Sequence, residues 1–329
     1  MRQIKGHSGV PHGVRCLTLH QNGNLLATAD DNGHLFVWDF ETGEALWKQT
    51  VKGYFTDLLF LPDDRLIASY YKESTKGKKK HAILLVETDG ETKRSVKTES
   101  TVWSMALRED GRLAIGCEDN LLVGEWKKKK FVELERYTLP KITRLHWHGE
   151  QLWACTEEGN IACLVDGELE FIATEQGPLY GMTHTKDKVF AGGKRGDISI
   201  IEGSIPLHTP PFHEDRVVGL VELEDGSFVT LDRSVLLLKW IDGNTEFLAS
   251  LGRAGGSLVA FDEESVICAT LSGLFRVHTQ TGEILNTTDE ESGSGIASAF
   301  GDQLVYGSKR HMISFLKLPS FASDPSHET

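Results

Sequence analysis

One short segment recurs along the chain, and its repetition constrains the fold more than any other feature. Each copy is a run of apolar residues that includes small or hydroxyl side chains, with further apolar runs before and after it. In 329 residues there are eight copies: Leu25–Ala29, Arg65–Tyr70, Arg112–Cys117, Gln151–Thr156, Lys188–Gly193, Ser227–Asp232, Ser265–Thr270 and Gln303–Ser308. Repeated units bury their apolar faces by stacking on one another, so a single repeat array is predicted.

The spacing of these units and the residues between them predict β-strands. The first strands of the units are expected about 40 residues apart. They begin near Val14, Phe55, Val102, Ile142, Leu179, Val217, Ser257 and Ile296. Pairs such as Asn22-Gly23, Asp110-Gly111 and Asp225-Gly226 are typical of tight hairpins. Four short strands in a unit of this length indicate a β-propeller. We therefore predict an all-β chain forming a single closed β-propeller of eight four-stranded blades, with seven blades as the alternative.

The two ends of the chain complement each other. Seven units carry a fourth strand, for example Ala45–Val51, whereas the eighth runs into residues 319–325, which contain two prolines. The segment Arg2–Gly6 precedes the first unit and has no unit of its own. We predict that this N-terminal strand completes the last blade and so removes an open sheet edge. The propeller is predicted over residues 1–318, and residues 319–329 are expected to form a flexible tail.

The composition limits the cellular compartments and the classes of binding partner that can be expected for this chain. The five cysteines are scattered and odd in number, which favours reduced thiols in the cytoplasm. No apolar run is long enough for a membrane helix, and the first residues lack an apolar signal region. The formal net charge is −13, and residues 201–329 hold 19 acidic and 8 basic side chains, so a nucleic-acid surface is disfavoured. The lysine runs at 76–80 and 127–130 are expected to be solvated loops on opposite faces.

The first unit resembles a WD repeat. The resemblance lies in Gly6-His7, in the segment from Leu25 to Gly33 and in Val37-Trp38-Asp39. It implies a structural, non-catalytic hydrogen-bonded tetrad formed by His7, Thr28, Asp31 (or Asp30) and Trp38. Trp126 and Trp240 occupy comparable third-strand positions without a following aspartate, so only the first unit is expected to carry the full pattern.

A second resemblance suggests a different function. The segment from Asp39 to Trp47, echoed from Thr279 to Leu285, is similar to the turn-and-tryptophan pattern of quinoprotein-type eight-bladed propellers. It implies, as the alternative, an enzyme or a small-ligand binder that uses the central channel. Enzymes of that group carry adjacent cysteines and a calcium cluster. Because this chain has no adjacent cysteines, we expect similar blade geometry without a cofactor.

Chemical motifs add little to the alternative. HExxH, P-loop, GxSxG and CxxC patterns are absent from the sequence, so no enzymatic activity is predicted. His146 and His148 are the densest histidine pair, and residues two apart on a strand face the same side. They could ligate a metal, but no further ligand is indicated by spacing. We interpret them as hydrogen-bonded or exposed side chains, and we expect no metal.

The predicted function is that of a non-catalytic protein-interaction scaffold or adaptor subunit of a multiprotein complex. The chain is expected to be a monomeric propeller within a hetero-complex, with other proteins as partners. Partners are expected on the face formed by loops between fourth and first strands, including 8–12, 209–216 and 290–295. Tryptophan, tyrosine and arginine are enriched at binding hot spots, and proline-flanked Phe212 could anchor a partner. The candidate binding residues are Arg15, Trp103, Arg144, Tyr180, Phe212 and Arg216. The alternative is that Trp103 and Tyr180 plug the channel or pack between blades.

Overall fold

A computed structural model of the chain describes sixteen stretches of residues. These are residues 2–5, 14–30, 32–73, 77, 79–127, 130–174, 177–184, 188–202, 205–208, 212–241, 244–251, 255–270, 273–286, 293–300, 303–308 and 312–317. They form 32 β-strands. None of the described residues belongs to a helix capable of crossing a membrane.

The strands pair into eight four-stranded antiparallel sheets, here called blades 1 to 8. Blade 1 contains β2 (Val14–Leu19), β3 (Leu25–Asp30), β4 (His34–Asp39) and β5 (Ala45–Thr50). Blade 2 contains β6 (Tyr54–Phe60), β7 (Leu66–Glu73), β8 (Lys79–Val86) and β9 (Thr92–Lys97). Blade 3 contains β10 (Val102–Leu107), β11 (Arg112–Cys117), β12 (Asn120–Lys127) and β13 (Lys130–Thr138). Blade 4 contains β14 (Ile142–His148), β15 (Gln151–Thr156), β16 (Asn160–Val165) and β17 (Glu168–Ala173).

The second half of the chain repeats this plan. Blade 5 contains β18 (Leu179–His184), β19 (Val189–Gly193), β20 (Ile198–Glu202) and β21 (Ile205–His208). Blade 6 contains β22 (Val217–Glu222), β23 (Phe228–Asp232), β24 (Leu236–Ile241) and β25 (Asn244–Ser250). Blade 7 contains β26 (Gly255–Asp262), β27 (Ser265–Thr270), β28 (Gly273–His278) and β29 (Ile284–Asn286). Blade 8 contains β30 (Gly293–Phe300), β31 (Gln303–Ser308), β32 (Met312–Lys317) and β1 (Arg2–Lys5).

The first strands of successive blades line the centre of a closed ring. Each first strand contacts the first strand of the next blade, and β30 of blade 8 contacts β2 of blade 1. The all-β fold and the four-stranded blades predicted from the sequence are therefore confirmed. The ring is completed by β1, which pairs antiparallel with β32 so that Arg2 lies opposite Phe315 and Lys5 opposite Met312. Residues 319–329, where a tail was predicted, lie outside the described residues.

The apolar core lies in the seams between blades. In the seam between blades 1 and 2, Leu35 and Val37 pack with Phe55 and Leu66, all of them buried. Small residues of second strands face the next blade: a Cβ added at Gly116 would lie 2.7 Å from Ile142 Cγ2. The small residues in the repeated second strand are thus explained by the close approach of neighbouring blades. Each fully buried Val, Leu or Ile stabilises the ring by roughly 1.5–3 kcal/mol.

A β-bulge of one residue interrupts the start of the first strand in each of blades 1 to 7. In blade 5, for example, Leu179 pairs with Gly193 and Gly181 pairs with Gly192, which leaves Tyr180 outside the ladder. In blades 1 to 7 the residues left out are Arg15, Thr56, Trp103, Thr143, Tyr180, Val218 and Gly256. Blade 8 shifts register between Gly293 and Ile296. A bulge releases a side chain from the strand's alternation and re-aims it.

Two residues that follow a bulge tie one blade to the next. Asp57 Oδ2 accepts a hydrogen bond from the backbone N–H of Met105 at 2.6 Å. In the same way, Ser104 Oγ accepts one from the backbone N–H of Leu145 at 3.1 Å. Burial raises the pKa of Asp57 to about 6, although backbone N–H groups and the charge of Arg144 oppose this shift. These hydrogen bonds fix the first strands of blades 2, 3 and 4 relative to one another.

The first lysine run is not entirely a loop, contrary to expectation. Lys79 and Lys80 belong to β8, where they pair with Glu73 and Lys72 of β7 in an extended hairpin. In the second run, Lys127 pairs with Lys130 across the β12–β13 turn. The other lysines of the two runs are Lys76, Lys78, Lys128 and Lys129, and they lie outside the described residues.

Ring closure predicts unequal effects of truncating the two ends. Deleting residues 1–6 removes the outer strand of blade 8 and exposes the edge of β32, whereas deleting residues 320–329 removes no described ladder. We expect the first deletion to lower the urea midpoint of unfolding far more than the second. Equal midpoints for the two deletions would show that the pairing of β1 with β32 does not stabilise the ring.

Candidate partner-binding face

The bulged residues lie where the first strands begin, on one side of the ring that we call the mouth face. Three cation–π pairs are found there. The Arg15 guanidinium carbon lies 4.7 Å from the centroid of the Tyr54 ring. Lys141 Nζ lies 4.4 Å from the Trp103 ring centroid, and the Arg216 guanidinium carbon lies 5.1 Å from that of Tyr180.

The three pairs share one geometry. In each, the bulged residue of one blade contacts the residue directly before the first buried residue of the next blade. The pairs therefore bridge the seams between blades 1 and 2, 3 and 4, and 5 and 6. Such a contact contributes about 0.5–1 kcal/mol where it is exposed. Since the rings of Trp103 and Tyr180 stay partly exposed, these residues both hold the seams and remain accessible.

A pocket of about 240 Å³ opens on the same face, between blades 4 and 7. It is lined by Thr143, Arg144, Tyr180, Arg216, Val218 and Gly256. Four of these are the bulged residues of four successive blades, so the bulge itself builds the pocket wall. Arg144 is exposed, and its Nη1 donates a hydrogen bond to the Thr143 carbonyl at 3.3 Å.

The structure brings half of the predicted binding residues together. Arg144, Tyr180 and Arg216 line one pocket, while Arg15 and Trp103 lie at two other seams of the mouth face. Phe212 is separate, because its ring, 42% exposed, packs edge-on against Trp240 at 5.4 Å. Partner binding by these residues remains a prediction.

Sequence reasoning missed several residues of the mouth face: Tyr54, Lys141, Thr143, Val218 and Gly256. A usable signal was available in the register of the units. In blades 1 to 6 the bulged residue follows the first buried residue of the first strand. In blades 2, 4 and 6 the residue directly before that buried residue is Tyr54, Lys141 or Arg216. Neither position belongs to a recognised motif, so composition alone does not mark them.

A tetrad of the same four side-chain types lies in blade 6, where the sequence analysis did not expect one. The indole Nε1 of Trp240 donates to Thr230 Oγ1 at 2.9 Å, and His213 Nε2 lies 2.7 Å from the same oxygen. His213 Nδ1 lies 3.3 Å from Asp232 Oδ2, and both side chains are fully buried. Burial acts to raise the pKa of Asp232, but hydrogen bonds from His213, Leu236 and Ser234 together lower it.

The expectation that only the first unit carries the tetrad is therefore wrong. In blade 1, Trp38 Nε1 donates to Thr28 Oγ1 at 2.8 Å, as the WD-repeat resemblance implied. Asp30 is buried and accepts hydrogen bonds from the N–H of Asn32 and of His34, whereas His7 and Asp31 lie outside the described residues. The threonine and tryptophan are ten residues apart in both blades, and this spacing was the overlooked signal.

His146 and His148 do share one side of β14, as predicted, but they meet a third histidine. The His184 ring centroid lies 4.3 Å from that of His146 and 4.1 Å from that of His148. Burial lowers the pKa of His146 to about 4, helped by the charges of His184 and His148. Within the described part of the chain, no group of three or more histidine, cysteine, aspartate or glutamate residues could hold a metal ion.

The closed ring of four-stranded blades is a β-propeller, and its first unit is similar to a WD repeat. The family model described as "WD domain, G-beta repeat" matches residues 1–39, so the motif resemblance is confirmed at the first unit. Human apoptotic protease-activating factor 1 is 35% identical over 78 residues, which cover 21% of this chain and 6% of that protein. The ribosome biogenesis protein erb1 of Schizosaccharomyces pombe is 46% identical over 43 residues, covering 13% of this chain and 5% of that one.

Solved structures match the fold across nearly the whole chain. The crystal structure of Sqt1 from Saccharomyces cerevisiae has a TM-score of 0.79 at 11% identity and covers 97% of this chain and 98% of that one. The computationally designed protein Ika8 has a TM-score of 0.73 at 18% identity, with 94% and 98% covered. At these identities the likeness concerns the fold alone. The curated relatives are much longer than the segments that match them.

The tetrad of blade 6 predicts a specific loss of stability. Thr230→Val keeps the shape of the side chain but leaves Trp240 Nε1 and His213 Nε2 without their partner. We expect a loss of about 1–3 kcal/mol for each buried group left unsatisfied, measured by urea unfolding. Thr245→Val, on the outer strand of the same blade, is the matched control and should change stability little. Equal losses in the two variants would contradict a stabilising tetrad.

The three histidines predict acid-sensitive stability. Because the pKa of His146 is about 4 in the folded protein and 6.5 for an unperturbed histidine, the unfolded chain binds more protons between these values. Stability should therefore fall as pH decreases from about 6.5 to about 4. His146→Gln should reduce the difference between urea midpoints measured at about pH 7 and about pH 5. An unchanged difference would show that protonation of His146 does not contribute to the loss of stability at acid pH.

Proposed function

We propose that the protein is a non-catalytic interaction scaffold that binds another protein over its mouth face. The observation that carries the proposal is the set of three cation–π pairs at equivalent register positions of the ring. Arginine, tyrosine and tryptophan are the residue types most enriched at binding hot spots. Here they are held on rigid strands by their neighbours, so little side-chain freedom is lost when a partner binds.

The WD-repeat family is typically non-catalytic, and this supports the same proposal. Recognition concentrates on loops and edges that a rigid scaffold presents, and the mouth face is such an edge. The adaptor role within a hetero-complex is part of the proposal. A cytoplasmic location is proposed with it, because all five cysteines are buried free thiols, as suits a reducing compartment.

The small-ligand alternative has weaker support. The mouth-face pocket measures about 240 Å³, below the roughly 300–1,000 Å³ of pockets that enclose a drug-sized ligand. Its size suits a single side chain of a partner better than a complete cofactor. The proposal therefore treats the pocket as part of a protein interface.

The experiment compares matched surface variants for binding to one partner. A partner captured by the wild-type protein from its native cell would be purified and titrated against Arg15→Ala and Trp103→Ala. We expect each to weaken binding at least about tenfold, as hot-spot truncation does, without changing the urea midpoint greatly. Phe171→Ala and Phe247→Ala, exposed on the outer strands of blades 4 and 6 at 53% and 66%, are the controls. Loss of binding in the controls only would place the interface on the outer strands and refute the proposal.

A further inference from the structure

The mouth-face pocket concentrates positive charge on a chain whose net charge is −13. Two of its six lining residues are arginines and none is acidic. The structure shows Arg144 and Arg216 in hydrogen bonds and ring contacts, and no ion pair joins either guanidinium to a described carboxylate. The lining of the pocket therefore carries positive charge and no acidic side chain.

Two acidic groups related to these arginines, Asp57 and Asp215, accept hydrogen bonds from backbone N–H groups. The positive charge of Arg144 acts to lower the pKa of Asp57, and the two oxygens of Asp57 accept from the backbone N–H groups of Leu58 and Met105. Asp215 Oδ1 accepts from the backbone N–H of Arg216 at 2.7 Å. A carboxylate bound to backbone donors is held in place and cannot swing to cover the guanidinium groups.

Arg216 also has hydrogen-bonding capacity that the protein does not use. Its guanidinium lies on the Tyr180 ring, and its Nε is buried without a described hydrogen-bond partner. Contact with the ring restricts the motion of the guanidinium group, whose fork of N–H donors matches the geometry of carboxylate and phosphate acceptors. An anion is the acceptor that this arrangement favours.

We infer that the mouth-face pocket receives an anionic side chain, a carboxylate or a phosphate, from an extended segment of the partner. This inference rests on the proposed function and names the chemistry of its partner. Arg216 provides a pre-oriented donor, and the exposed Arg144 closes on the anion from the other side. Val218 packs against the aliphatic stem of the incoming side chain. Gly256 has no side chain, so the wall of the pocket stays open at blade 7 for the partner's backbone.

The test uses capped tripeptides with a central glutamate, phosphoserine or glutamine, added to the full-length protein labelled with nitrogen-15. Arginine Nε–Hε signals would be followed by NMR and assigned from the Arg144→Gln and Arg216→Gln variants. We expect saturable shifts of these two signals with at least one anionic peptide and none with the glutamine peptide. The ratio of the two affinities tells whether carboxylate or phosphate is preferred. Each variant should weaken binding roughly tenfold or more, because the lost hydrogen bonds are to charged groups.

Arg136→Gln is the control, since Arg136 lies on the outer strand β13 and pairs with Glu99 and Glu133. It should leave peptide affinity unchanged. Equal shifts from the glutamine peptide, uniform shifts of all arginines, or no saturation at millimolar peptide would each overturn the inference. These outcomes leave the proposed function standing if Arg15→Ala and Trp103→Ala still weaken partner binding, because both residues lie outside the pocket.

Discussion

The blades of this ring bury their apolar faces against their neighbours. The seam between blades 1 and 2 joins Val37 to Phe55 and Leu66, and the five seams from blade 2 to blade 7 repeat the arrangement with other residues. A blade removed from the ring would return both of these apolar faces to water at a cost of several buried side chains. Stability is therefore a property of the closed ring, and the pairing of β1 with β32 completes blade 8, where the two ends of the chain meet.

The seams also explain the chemistry of the second strands. A blade approaches its neighbour closely enough that Gly192 leaves no room for a Cβ, which would lie 2.5 Å from Val217 Cγ1. Buried polar groups within this packing need partners, and in blade 6 Thr230 Oγ1 accepts from Trp240 Nε1 and lies within hydrogen-bond distance of His213 Nε2. Gly196 has a φ of +85°, and a Cβ added to it would clash with the carbonyl oxygen of His213. The turn that contains Gly196 therefore packs closely against the backbone of His213 and positions this tetrad residue.

The repeated strands and the closure by the N-terminal strand could be predicted from the sequence, since both follow from apolar periodicity and turn residues. The blade 6 tetrad could not be found by looking for Asp after Trp, because Asp232 precedes Trp240 by eight positions and acts through His213. The contact of Trp103 with Lys141 depends on a β-bulge, and the residue types at this position do not predict a bulge. His184 joined His146 and His148 because β14 and β18 lie side by side in the ring, a contact that spacing along the chain does not reveal.

The bulge at the start of each first strand has a consequence for how this protein can change. A residue outside the ladder can be exchanged without altering strand pairing, and the chain tolerates arginine, threonine, tryptophan, tyrosine, valine and glycine there. Strand pairing and the side chains presented on the mouth face are thus determined by different positions of the same strand. A duplicated copy of this chain could acquire a new binding specificity through substitutions at these sites while inheriting an intact scaffold.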